Sequence, residues 1–295
     1  MQLVSPAQQL LAGIATNITA TLTGADGEPA TGLSATVTVT RADGTALYTN
    51  AAATDNANGT YSLAVTAADL AQLDLLVAAW KVGGVVRATT AHEVVSGYYF
   101  TRADVDAVEE GGANVAGIEH DTLRAEVEAE AERIAGVAFV PRYRRILLET
   151  TGCRDLLIPD PMPRVLRSVR LYSDATTYTA FTAGELAAVT LDPSGLLTRR
   201  DGGVFGYPTR MARLVVEYEH GYDRPPADLK RAAIRRYRSR SAMGFSGVPD
   251  RAVSYTAENG ATYRLATAGE LTTGDPDIDA VYGGYAFKAN RFGIA

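Results

Sequence analysis

Near residue 97 the chain changes character, and this break constrains the architecture more than any other feature. Residues 1–97 are rich in Thr, Ala and Gly, read as short strands, and hold only three of the 28 Lys and Arg residues: Arg41, Lys81 and Arg87. Beyond the break come two acidic helical stretches, an arginine-rich strand pattern and a basic helix over residues 230–240. A length of 295 residues suits about two domains. Each side of the break has the apolar pattern for a core of its own.

Charge follows the same division. Residues 1–97 hold three basic and seven acidic groups, residues 98–242 hold 21 of each, and the remainder four against six, for a net −6. All cations but Lys81, Lys230 and Lys288 are arginines, whose planar forks suit fixed ion pairs. With 46% hydrophobic and 21% charged residues the composition is that of a globular protein. The opening MQLVSP has neither a basic stretch nor an apolar core, so no secretory signal is expected. Apolar runs such as residues 75–80 are too short to span a bilayer. The single Cys153 excludes an internal disulfide framework and any multi-cysteine zinc site, which suits synthesis in a reducing cytosol.

In the first part, residues 18–23, 35–40 and 61–65 alternate with the period of two expected of half-buried strands. Asp26-Gly27, Asp43-Gly44 and Asn58-Gly59 supply turn residues between them. Residues 73–80 and 85–95 read as a closing hairpin about Gly83-Gly84, with Trp80 as a core anchor. Several short strands at this spacing predict a β-sandwich. The stretches NITATLTGADGEP (17–29) and NGTYS (58–62) resemble those of the immunoglobulin-like (Ig-like) domains of bacteria and phages. That resemblance implies a fold and says little about function. The Asn-x-Thr tripeptides at Asn17 and Asn58 match the glycosylation pattern alone, and use is not expected without a secretory signal.

In the second part Thr101 and Asp104 have capping-box spacing, and Gly111-Gly112 is the expected end of that short helix. A longer helix is predicted from Asp121, with Leu123, Val127, Ala131 and Ile134 on one stripe and Gly136 as its stop. Glu126, Glu128, Glu130 and Glu132 cover the rest of it, either as a solvated face or as a surface for a neighbour's arginines. Residues 142–149, 154–158, 164–172 and 213–219 have strand character, and residues 176–210 read as a long loop. Pro226 and Asp228 then open the basic helix, on which Arg236 and Arg240 fall into the apolar stripe of Leu229, Ala232, Ala233 and Tyr237. A cation is not buried alone, so that face is either wet or meets carboxylates.

Three segments taken together, LRAEVEAEAERIAG (123–136), PRVLRSV (163–169) and VEYEHGYDRPPADLKRAA (216–233), resemble the head–tail connector (adaptor) proteins of long-tailed bacteriophages. The specific part is Val216-Glu-Tyr, Gly221-Tyr222, Pro226 and Asp228-Leu-Lys230. The resemblance covers residues 98–242; the Ig-like part and the stretch after Ser241 depart from the minimal family pattern. It implies a virion structural protein of the neck, made in the host cytoplasm, forming a ring, by analogy a dodecamer, below the portal. The genome would pass through its centre. The implied partners are further copies, the portal, a downstream neck or tail-completion protein and, without sequence specificity, DNA; no membrane is involved.

No catalytic constellation stands out, so an enzyme is not expected. His92, His120 and His220 are scattered, and Cys153 lacks a recognisable histidine partner. Asp275-Pro-Asp277-Ile-Asp279 opens like a calcium loop but has Ala280 where glycine is needed and Ala286 where the bidentate glutamate belongs. Neither metal nor cofactor is expected.

The expected fold class is α+β: an all-β Ig-like sandwich (1–97), a connector domain of helices and antiparallel sheet (98–242) and an extended C-terminal arm (243–295). The subunit interface is expected to pair Glu126, Glu128, Glu130 and Glu132 of one copy with Arg235, Arg236, Arg238 and Arg240 of the next. Tyr282, Tyr285, Phe287 and Phe292 are expected to grip the portal, and Lys230 and Arg231 are candidates for contact with DNA phosphates. Two other readings remain open: a surface or carbohydrate-binding module based on the Ig-like domain, and a nucleic-acid-binding protein using the basic helix at 230–240.

Overall fold

A computed structural model of the chain describes residues 8–24, 27–108, 117–150, 152–174, 176–207, 212–243, 254–256, 262–264 and 271–287. Its first part consists of β1 (Gln8–Leu11), β2 (Thr16–Thr21), β3 (Ala35–Arg41), β4 (Ala46–Ala52), β5 (Thr54–Asp55), β6 (Thr60–Val65), β7 (Asp74–Val82) and β8 (Val85–Val95). They form two sheets, β1-β8-β7-β3-β4 and β2-β6-β5. Alternation sends Val37, Val39, Leu76, Ala78 and Trp80 inward from the first sheet and Ile18, Tyr61, Leu63 and Val65 inward from the second. Burying each large side chain contributes roughly 1.5–3 kcal/mol. The sandwich predicted from the period of two is present, and Trp80 is fully buried with its indole N–H donating to Thr90 Oγ1 at 3.0 Å. Val82 pairs with Val85 across Gly83 and Gly84, both at positive φ (58° and 81°), which suits the right-handed twist of the flanking strands.

The rest of the chain adds α1 (Arg102–Asp106), α2 (Gly117–Ala135), β9 (Arg142–Thr150), β10 (Asp155–Leu157), β11 (Pro163–Tyr172), β12 (Tyr178–Ala180) and α3 (Ala183–Ala187). It continues with β13 (Val189–Leu191), β14 (Leu196–Arg199), β15 (Ala212–His220), α4 (Ala227–Met243), β16 (Ser254–Thr256), β17 (Thr262–Arg264) and α5 (Pro276–Gly284). An antiparallel sheet in the order β12-β11-β15-β9 packs one face on the small sheet β10-β14-β13, around Leu156, Val169, Leu197, Phe205, Leu214 and Val216. Helices α2, α4 and α5 share a second core with Tyr99, Phe100, Phe139, Tyr237 and Tyr282. Thr101 and Asp104 form the expected capping box of α1, which ends at Asp106; Gly111-Gly112 lies outside the described residues.

Three sequence expectations need correction. Helix α2 begins at Gly117, four residues before Asp121. The stretch 176–210, read as a loop, contains β12, α3, β13 and β14. Its strands have only three or four residues, too few for a period to register, and they are held by Leu197 in the core and by Arg199. The guanidinium of Arg199 is buried over Phe181 and bonds to Glu185, Asp201 and the Val204 carbonyl. The third correction concerns the C-terminal arm: α5 packs on α2 and α4, with Ile278 and Tyr282 in their core.

Candidate functional site

The four glutamates of α2 are spaced by two residues, and two residues turn an α-helix by about 200°. They therefore divide into two rows. Glu126 and Glu130 face α4, where Arg236 holds Glu130 with two bonds (Nε 2.7 Å, Nη2 2.9 Å) and Arg240 reaches Glu126 at 3.0 Å and Glu130 at 3.2 Å. Glu130 and Arg236 are both buried. This answers the question left by the basic helix: its apolar stripe meets carboxylates, those of α2 in the same chain. The sequence reading paired these charges between neighbouring copies; the structure closes Glu130 with Arg236 and Arg240 inside one chain, because burying the α2–α4 interface forces each charge to find its nearest counter-ion. Arg235 turns the other way and meets Asp275 at 3.0 Å and Asp277 at 2.9 Å, at the start of α5. Arg238 is half-buried.

The second row, Glu128 and Glu132, faces β9 and the junction with the sandwich. Arg142, itself buried, reaches Glu128 at 3.2 Å, Glu132 at 2.9 Å and Glu93 of β8 at 3.3 Å. Glu128 also accepts from the Tyr99 N–H at 2.8 Å and from Gln9 Nε2 of β1 at 3.2 Å, and Glu132 accepts from the Tyr99 hydroxyl at 2.6 Å. Burial pushes the carboxyls of Glu93 and Glu128 up against the attraction of Arg142. Burial also disfavours the Arg142 charge, yet Glu132 and Glu93 hold it well above the usual arginine range. Farther along the junction Arg167 binds Glu219 and donates to the Leu73 carbonyl at 2.6 Å. Beside Arg142 a cavity of about 330 Å³ is lined by Arg133, Tyr143, Arg144, Asp160 and His220, among others. The sequence reading missed this junction. Arg142 stands in a strand with three arginines among its first four residues, and no local signal marks one arginine of such a strand as the buried one.

The aromatic residues expected to grip a partner are largely spent within the fold. Tyr282 is fully buried. The ring of Tyr285 meets Phe139 edge-on at 5.6 Å and its hydroxyl donates to Asp228 at 2.8 Å. Phe287 is half-buried, its backbone N–H bonded to the Ala135 carbonyl at 2.8 Å; Phe292 lies outside the described residues. Tyr282 belongs to the core and not to an extended arm, because α5 offers its apolar side to the groove between α2 and α4. Asp275 caps α5 by accepting from the N–H groups of Asp277 and Ile278, while Asp279 accepts from Thr273. Lys230 is half-buried and paired with Asp104 at 2.8 Å, whereas Arg231 is exposed.

The signature run crosses from β15 through a tight turn into α4. Gly221 in that turn has φ 101°, and a Cβ there would stand 2.7 Å from the Val140 carbonyl oxygen and 2.9 Å from that of Ala138, so only glycine fits. Among the described residues no group of three or more His, Cys, Asp or Glu side chains is placed to hold a metal ion, and no helix is long and apolar enough to cross a membrane.

No protein-family model and no curated protein matches the chain. Among solved structures it is similar to a chain in the neck of an empty gene transfer agent particle, with 15% identity and a TM-score of 0.39 over 53% of this chain and 83% of that one. A chain in the virion of the native gene transfer agent particle gives 19% identity and 0.36 over the same shares. The Escherichia coli adhesin FdeC gives 13% identity and 0.25 over 72% of this chain and 56% of its own.

Proposed function

We propose that the chain is a structural subunit of the neck of a tailed phage or phage-like particle: a head–tail connector that forms a ring below the portal, joins capsid to tail and lets DNA pass through its centre. One observation carries this reading. The three segments that resemble connector proteins, far apart in sequence, fold into one body: residues 163–169 lie in β11 beside β15, and residues 216–233 run from β15 into α4, which packs on α2. The most specific part of that resemblance includes Gly221, which the turn requires.

In this reading the ring is closed by charges left at the surface, since Glu128, Glu130 and Arg236 are consumed inside the subunit. Glu126 and Arg235 are exposed and Arg240 is half-buried, so a neighbouring copy would share them with their partners within the chain, Arg240 for Glu126 and Asp275 and Asp277 for Arg235. Each exposed pair contributes only about 0–1 kcal/mol, so many contacts act together, and the portal serves as the template on which the ring forms. Arg231, exposed on the first turns of α4, is the better candidate for a DNA phosphate contact than Lys230.

The test is to mix the purified chain with the portal protein of the same particle and to image the product by electron microscopy, with mass measured by light scattering. The expected product is a ring of identical subunits, twelve by family analogy, seated on one end of the portal. Failure to bind the portal, or binding as single subunits without ring closure at saturating concentration, overturns the proposal.

A further inference from the structure

The junction between sandwich and body is built with more acid than base. Glu93 from β8 and Glu128 and Glu132 from α2 converge on the single guanidinium of Arg142 at 3.3, 3.2 and 2.9 Å. The next cation, Arg124, stands 3.8 Å from Glu128, but it is shared with Asp121 at 2.7 Å and sits over the Tyr98 ring, 3.4 Å from its centroid. Around the adjoining cavity, Arg144 is engaged by Asp160 at 3.0 Å, Arg133 is exposed, and burial pushes the His220 imidazole down from its ordinary value, which disfavours its charge. Tyr99 and Gln9 contribute only neutral donors. Three carboxylates thus share little more than one full positive charge, with Glu128 completely out of water. Like charges so placed do not all ionise together when a proton is available.

We propose that the docked junction holds one proton, shared between Glu93 and Glu128 where both converge on Arg142, and that this proton makes docking of the sandwich on the body depend on pH. With the proton in place the acid excess falls by one charge: two carboxylates face Arg142, and Arg124 is left divided between Asp121 and Glu128. When the sandwich leaves, Glu93 returns to water and Gln9 leaves Glu128. The two glutamates of α2 then share Arg142 and Arg124 without Glu93, and the proton is released. Burial raises the carboxyls of Glu93 and Glu128, in agreement with this assignment.

The sign follows from proton count. The docked, folded state binds more protons than the unfolded one between the ordinary glutamate value and the raised value. Stability from the junction is therefore present in mild acid and declines as pH rises through that window, at most about tenfold in the equilibrium constant per pH unit. The result is a latch that tightens on acidification.

The test uses the full chain, labelled with ¹³C at glutamate carboxyls, and the variants Glu93→Gln and Glu128→Gln. In the wild type, Glu93 or Glu128 should titrate above the ordinary glutamate value of about 4.3. Urea unfolding from pH 5 to 8 should show the wild type losing stability with rising pH relative to at least one glutamine variant, whose amide imitates the protonated carboxyl. If Glu93 and Glu128 both titrate at or below the ordinary value, the proposal is overturned, and that reading needs no variant to fold. Parallel pH profiles for the wild type and both variants would overturn it equally.

Discussion

Replacing Arg236 by methionine removes the guanidinium that holds Glu130 and leaves that carboxylate buried between α2 and α4. The methylene stem and approximate volume are kept, so packing changes little and the electrostatic effect is isolated. Breaking a buried pair from one side costs about 3–5 kcal/mol, because the remaining charge is desolvated without its counter-ion. Arg240, 3.2 Å from Glu130 and half-buried, takes over part of that role and sets the expected loss at the lower end, about 3 kcal/mol. At a urea slope of about 2 kcal/mol per molar this moves the midpoint by about 1.5 M. Two probes read separate parts of the molecule. Far-ultraviolet dichroism follows α2 and α4, whereas the only tryptophan, Trp80, follows the sandwich. The double variant Arg236→Met with Glu130→Met should recover most of the loss, since an apolar pair of similar size is often as stable as the ion pair. A single-variant loss below about 1 kcal/mol would refute the claim that this pair is closed within one chain, as would a double variant no better than the single one.

Two further outcomes are expected. His92 is buried in the sandwich, its pKa lowered to about 4 by burial, so the unfolded chain binds a proton that the folded sandwich refuses between pH 6.5 and 4. Stability read by Trp80 fluorescence should be full above pH 6.5 and fall by about 3 kcal/mol as pH drops to 4, and His92→Gln should flatten that fall. Tyr282→Ala should cost the body about 3–5 kcal/mol, measured as a shift of the dichroism midpoint; an unchanged midpoint would return α5 to the status of an appendage.

Much of the architecture is legible along the chain because it depends on short-range patterns. Alternation in residues 35–40 and 61–65, the Gly83-Gly84 turn, the Thr101 capping box and the stripe from Leu123 to Ile134 each need only a few neighbouring residues, and each is found where the sequence puts it. The segments lost to sequence reading are those whose stability is borrowed. The strands within 176–210 are too short to have a period of their own, and α5 is a helix of nine residues with a clear Asp275 cap but no reason to bury Tyr282 until α2 and α4 provide a groove. Charge was the hardest feature to place. The sequence alone determined that α2 is acidic and α4 basic, and that Arg236 and Arg240 share an apolar stripe and must be wet or paired. Only tertiary structure decided that Glu130 belongs to Arg236, 106 residues away, and that Glu128 and Glu132 turn instead toward Arg142 and the sandwich. The physical reason is that helix and strand formation follow local backbone and side-chain preferences, whereas a buried charge takes whichever counter-ion the packed layers bring within about 3 Å.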